Sequence, residues 1–124
     1  MPLFGSSEKQ IKLNSYMKQY TDKNQTAKLI ELGFPKPQQV LPVRQEGQAL
    51  IYALRYTIGE LIEFLPKTIE WKEVVYSRVI DVESVTYYSW DYEVYFGSNF
   101  IFEEKEFIDS LFKACVTLKE EGVI

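Results

Sequence analysis

Residues 56–67 read YTIGELIEFLPK, and the fold turns on whether this phrase opens a binding site or is a short helix with strong boundary signals. Thr57 can accept the amide of Glu60 while the Glu60 carboxylate reaches back to the amide of Thr57, the reciprocal pattern of a capping box. Ile58, Leu61, Ile62 and Leu65 then follow at the 0, 3, 4, 7 spacing of one helical face, and Pro66 stops the helix. The alternative is an anion site at the helix N-terminus, with Gly59 admitting a close approach. Glu60 argues against it, because its negative charge already occupies those amides. The phrase predicts a capped helix over 58–65.

Working outward, ALIYALRY at 49–56 is predicted as a strand with apolar residues on both faces. Upstream, Pro35, Pro37, Pro42 and Gly47 mark 34–48 as a connector, since each proline removes a backbone donor. Before it, 21–33 predicts a helix capped by Thr21 or Asp22, burying Leu29, Ile30 and Leu32 and ending at Gly33. Residues 7–20 carry Leu13, Tyr16, Met17 and Tyr20 at helical spacing and predict a helix or an arm lying on the body.

Downstream, 68–83 alternates as β-structure. Val74, Tyr76, Ile80 and Val82 share a face with Lys72 and Arg78, and Trp71, Val75 and Val79 share the other with Ser77 and Asp81. SVTYYSWDYEVYFGS at 84–98 alternates again, with Tyr88, Trp90, Tyr92, Val94 and Phe96 on one face if the strand runs straight. A turn at Ser89-Trp90-Asp91 changes that parity, and both readings stay open. Residues 103–122 form the longest predicted helix, burying Phe107, Ile108, Leu111, Cys115 and Leu118 with Phe112 beside them. Gly122 caps it, and Val123-Ile124 returns onto the body.

The expected architecture is therefore α+β: an antiparallel sheet of three or four strands, packed against a long C-terminal helix and an N-terminal helix. A short capped helix lies between the first two strands, and the organisation is an arm at 1–20 followed by one domain at 21–124. A chain of 124 residues with 46% apolar content can bury roughly two-thirds of its unfolded surface, enough for a core.

Composition closes several chemistries. Fourteen basic against 18 acidic residues give −4 and a pI near 4.9, which argues against general nucleic-acid or anionic-membrane binding. The absence of histidine removes the commonest general base and zinc ligand, and Cys115 alone excludes an internal disulfide. No apolar run is long enough to span a bilayer, and the opening residues lack a signal-peptide pattern. The expectation is a soluble, cytoplasmic, acidic protein without metal or cofactor.

Four candidates for chemistry remain. Tyr87, Tyr88, Trp90, Tyr92, Tyr95, Phe96, Phe100 and Phe102 crowd into 87–102, as a stacking surface or as a sheet packed on the last helix with tyrosine hydroxyls at its rim. Arg78 falls on an apolar face, where a charge must be paired or reach water, or else line an anion pocket with Arg55. The ligand-binding candidates are thus Arg55, Arg78, Tyr88, Trp90 and Tyr92. Glu60, Glu63, Asp81, Glu83, Asp91, Glu93, Glu103, Glu104 and Glu106 supply carboxylates, mostly on solvated faces and helix first turns. Cys115 reads as a small core hydrophobe.

QTAKLIELGF, YTIGELIEFLPK, the β-rich middle and FIDSLFKACVTLKEEGVI, taken in order, resemble a group of small uncharacterised proteins carried by bacterial phages and integrated mobile elements. The resemblance covers 21–124 and departs at 1–20, where an added segment is a candidate for a partner contact particular to this chain. It implies an accessory protein of the counter-defence kind and transfers no catalytic residue. The function expected is non-catalytic: engagement of a host protein. The alternative is a sponge for a nucleotide-like signal held by the two arginines and the aromatics, with a small carboxylate-dependent enzyme third. Self-association stays open.

Overall fold

The computed structural model describes residues 18–44, 50–81, 84–89 and 100–124. They build three helices and two antiparallel sheets: α1 (Lys23–Glu31), β1 (Val40–Arg44), β2 (Leu50–Leu54), α2 (Ile58–Phe64), β3 (Thr68–Trp71), β4 (Val74–Ile80), β5 (Ser84–Ser89), β6 (Phe100–Glu103) and α3 (Phe107–Glu120). Strands β3-β4-β5-β6 form one sheet in sequence order, and β1 and β2 pair by themselves as a ribbon. This is the expected α+β architecture, with the C-terminal helix α3 packed on β5 and β6 and both shorter helices packed on α3.

Two capping boxes start the short helices. Gln25 N donates to Asp22 Oδ1 at 2.7 Å while Asp22 N donates to Gln25 Oε1 at 3.1 Å. At α2, Glu60 N donates to Thr57 Oγ1 at 3.2 Å and Thr57 N to Glu60 Oε1 at 3.1 Å. Gly33 and Gly122 take the left-handed conformation that ends α1 and α3, with φ of 95° and 74°. Leu29, Tyr56, Leu61, Leu65, Tyr76, Val85, Tyr87, Ile108, Leu111, Ala114, Cys115 and Leu118 form the core between the sheet and the helices.

Several expectations change. Residues 18–20 are not helical, and Tyr20 bridges Thr57; the rest of the 7–20 prediction lies outside the described residues. Ile30 is exposed, because α1 turns only Thr26 and Leu29 fully inward. The proline-spaced connector contains β1, and Pro42 is tolerated because a two-stranded ribbon has only edges. Helix α2 consequently joins the ribbon to the main sheet.

The stretch 68–80 is a hairpin rather than one strand. Lys72 and Glu73 form its two-residue turn with φ of 51° and 66°, and Trp71 pairs with Val74. The reversal moves Trp71 onto the face of Tyr76 and Arg78, not that of Val75 and Val79. On that inner face Trp71 and Tyr76 both meet Phe100 edge-on, with ring centroids 5.1 and 5.3 Å away. Phe107 is half-buried rather than buried. The alternatives for Ser89-Trp90-Asp91, the faces assigned to 90–98, and Val82 lie outside the described residues.

Candidate functional site

Arg78 stands on the inner face of β4, directly opposite Tyr87 of β5. Its Nη1 donates to Ile62 O at 3.2 Å and to Leu65 O at 2.5 Å, carbonyls at the end of α2, where Ile62 O also accepts the amide of Leu65. A cation there also meets the negative end of the helix dipole. The expected snorkelling or carboxylate partner is replaced by a helix C-terminus. Tyr87 Oη donates to Pro66 O at 2.6 Å, and Cys115 Sγ lies 3.8 Å from Leu61 O. Side chains from β4, β5 and α3 thus converge on the carbonyl end of one seven-residue helix.

The same use of polar groups recurs at its other end. Tyr56 Oη donates to Pro35 O at 2.6 Å, and Tyr56 N donates to Thr21 Oγ1 at 3.1 Å, which is 2.7 Å from Thr26 Oγ1. Burial pushes the phenols of Tyr56 and Tyr87 up to about 12, a shift that Glu60 adds to for Tyr56 and Arg78 opposes for Tyr87. Burial alone pushes the Cys115 thiol up to about 12, far from the thiolate a nucleophile needs. Among the described residues, every buried side-chain nitrogen and oxygen has a partner.

The described ligand-binding candidates, Arg55, Arg78 and Tyr88, do not converge. Arg55 follows β2 and donates to Leu54 O at 3.2 Å. Tyr88 is on the outer face of β5, paired with Ser77, whereas Arg78 faces inward. Trp90 and Tyr92 lie outside the described residues. Carboxylates go to separate duties: Glu60 caps α2, Glu104 meets Lys113 at 3.2 Å, and Asp109 meets Lys18 at 2.8 Å. Lys18 Nζ also donates to Gln25 Oε1 at 2.8 Å, so that Lys18 joins the first turn of α1 to Asp109 of α3. Beside this knot a groove of about 330 Å³ runs along α3, lined by Asp109, Phe112, Lys113 and Val116. None of the described candidates, Arg55, Arg78 and Tyr88, lines it.

Two surfaces that sequence reasoning did not single out carry exposed apolar side chains. The outer face of the main sheet presents Val75 (57% exposed), Val79, Tyr88 and Ile101 (59%). Thr86 is buried among them, opposite Val79 on one side and Ile101 on the other. The strand positions on this face also hold Glu70 and Glu103, and no base. The second surface is one face of the ribbon, where Val40 opposes Leu54 and Pro42 opposes Tyr52. All four are exposed, Tyr52 at 70%. Alternation within VLPVR and LIYAL carries that signal once the two strands are paired.

Compared with protein-family models, curated proteins and solved structures, the chain finds no match. Among the described residues, no group of three acids or cysteines is placed to hold a metal ion, and no helix is long and apolar enough to cross a membrane.

Proposed function

We propose that this chain is a non-catalytic binding protein that engages a host protein through the outer face of its four-stranded sheet. The observation that carries the reading is the row of exposed apolar residues there, Val75, Val79, Tyr88 and Ile101, on a face bordered by Glu70 and Glu103. A contiguous apolar patch with a polar rim is the usual mark of a protein contact. The partner chemistry that fits is an apolar centre flanked by lysine or arginine. The groups that elsewhere perform chemistry support the reading by their employment: Arg78, Tyr56 and Tyr87 bind backbone carbonyls, and Cys115 is enclosed.

The setting, an accessory of a phage or mobile element acting against a host defence, rests on the resemblance of 21–124 alone. A sponge for a nucleotide-like molecule needs Arg78 and the tyrosines on one surface, and Arg78 and Tyr88 stand on opposite faces. The test is capture from a host lysate by the immobilised protein and by two variants. Val79→Lys/Ile101→Lys reverses the chemistry of the outer face, and Glu31→Gln alters an exposed site on α1. A partner held by the parent and by Glu31→Gln, and lost by the lysine pair, is the expected result. A partner set that the lysine pair retains unchanged contradicts the reading.

A further inference from the structure

Among the described residues, the ribbon and the outer face each leave apolar side chains exposed. A two-stranded hairpin is marginal in water unless something packs on it or pairs with it. Here β1 and β2 pack chiefly on each other, and one whole face, Val40, Pro42, Tyr52 and Leu54, points outward. The main sheet has the opposite shortage, since its inner face is filled by α3 and, among the described residues, no element packs on its outer face.

The charges of the two surfaces are opposed as well. Between Phe34 and Thr57 the sequence has three bases, Lys36, Arg44 and Arg55, against one acid, Glu46. The outer strand positions of the sheet hold Glu70 and Glu103 without a base. Their sizes match too. Five strand residues span about 16 Å, and four strands side by side are about 14 Å from first to last.

We infer that, when no host protein is bound, the β1–β2 ribbon of a second copy of this chain covers the outer face of the sheet. Val40, Tyr52 and Leu54 then lie over Val75, Val79 and Ile101, with Lys36 and Arg55 near the acidic border. A two-fold arrangement in which each copy lends its ribbon to the other closes the assembly and makes the contact twice. Like charges argue against the simpler pairings: two outer faces would oppose their glutamates, and two ribbons their bases. The inference rests on reading the outer face as a docking surface, and it adds a regulation. A host protein must displace the second copy, so self-association holds the face closed until a better partner arrives.

Sedimentation of the full chain over a range of concentrations tests the contact without any host protein. The parent is expected to form dimers by roughly 100 µM, the range of a modest two-sided interface. Tyr52→Glu/Leu54→Glu on the ribbon and Val79→Lys/Ile101→Lys on the face should each raise the dissociation constant roughly tenfold or more. Mixing the two variants should restore a dimer. One contact is then wild-type on both sides, and the other opposes new glutamates to new lysines.

A parent that stays monomeric overturns the inference. So does a face variant that dimerises like the parent, which would mean ribbon on ribbon, or a ribbon variant that does, which would mean face on face. A mixture that remains monomeric overturns it too. Host capture separates this from the functional reading: the ribbon variant should capture the host protein at least as well as the parent. A monomeric parent that still loses its host partner with Val79→Lys/Ile101→Lys removes the ribbon contact and leaves the functional reading standing.

Discussion

Helix α2 and the β1–β2 ribbon are neighbours in sequence, joined by Arg55, Tyr56 and Thr57, and the fold treats them in opposite ways. The helix is seven residues long, too short to persist alone. It is held by a capping box at one end and by Arg78, Tyr87 and Cys115 at the other, with Leu61 fully buried and Leu65 nearly so. The ribbon has comparable apolar content, but Val40, Tyr52 and Leu54 meet no core. Apolar residues therefore do two jobs here. In the helix they build the body, and on one face of the ribbon and the outer face of the sheet they stand exposed.

The largest expected effect breaks this contrast at its root. Leu61→Ala should lower stability by about 2–5 kcal/mol, because it opens a cavity in a filled core. Tyr52→Ala should fall within about 0.5 kcal/mol of the parent in dilute solution, where the ribbon face is solvated. Equal losses in denaturant titrations of the two variants would mean that the ribbon is packed after all.

Arg78→Met keeps the stem of the side chain and removes the donors to Ile62 O and Leu65 O. It should cost about 1–3 kcal/mol, the loss for leaving the Leu65 carbonyl without its donor, while Ile62 O keeps the amide of Leu65. A variant as stable as the parent would show that water replaces the guanidinium, and Arg78 would again be available to a ligand. Thr57→Ala should cost about 0.5–2 kcal/mol in the same measurement, the usual loss of an N-cap.

The smallest shift expected has the opposite sign. Glu73 occupies the left-handed region in the turn between β3 and β4, and Glu73→Gly relieves that conformation. A gain of about 0.5–1 kcal/mol in thermal unfolding is expected. A loss would mean that the glutamate makes a contact worth more than its backbone strain.

Legibility in the sequence followed how local each determinant is. Helices α2 and α3 were readable because cap, apolar stripe and stop fall within one continuous phrase, as in Thr57, Leu61 and Pro66. The hairpin at Lys72-Glu73 was hidden, since neither residue is the glycine or asparagine that such turns favour, so Trp71 was assigned to the wrong face. Strand β1 was hidden by Pro35, Pro37 and Pro42, which read as a connector until β2 is placed beside them.

The site was less readable than the fold. Arg78 stood out by its place on an apolar face, but its partners are backbone carbonyls 13 and 16 residues away, which no side-chain pattern records. The outer face could not be recognised as open, because Val75 and Val79 look like core residues until the helices are seen on the other side. Burial on one face and exposure on the other come from the three-dimensional layering, while alternation in the sequence is the same for both.

On the proposed reading, this chain occupies a partner through an exposed apolar surface and turns nothing over. Titrating it into a fixed amount of the host protein it captures, while following that protein's activity, tests this most directly. Loss of activity should complete near equimolar addition, stay constant with time and be unaffected by EDTA. Complete inactivation at about a hundredfold deficit, progressing as incubation continues, is the behaviour of a turning-over catalyst and would contradict it.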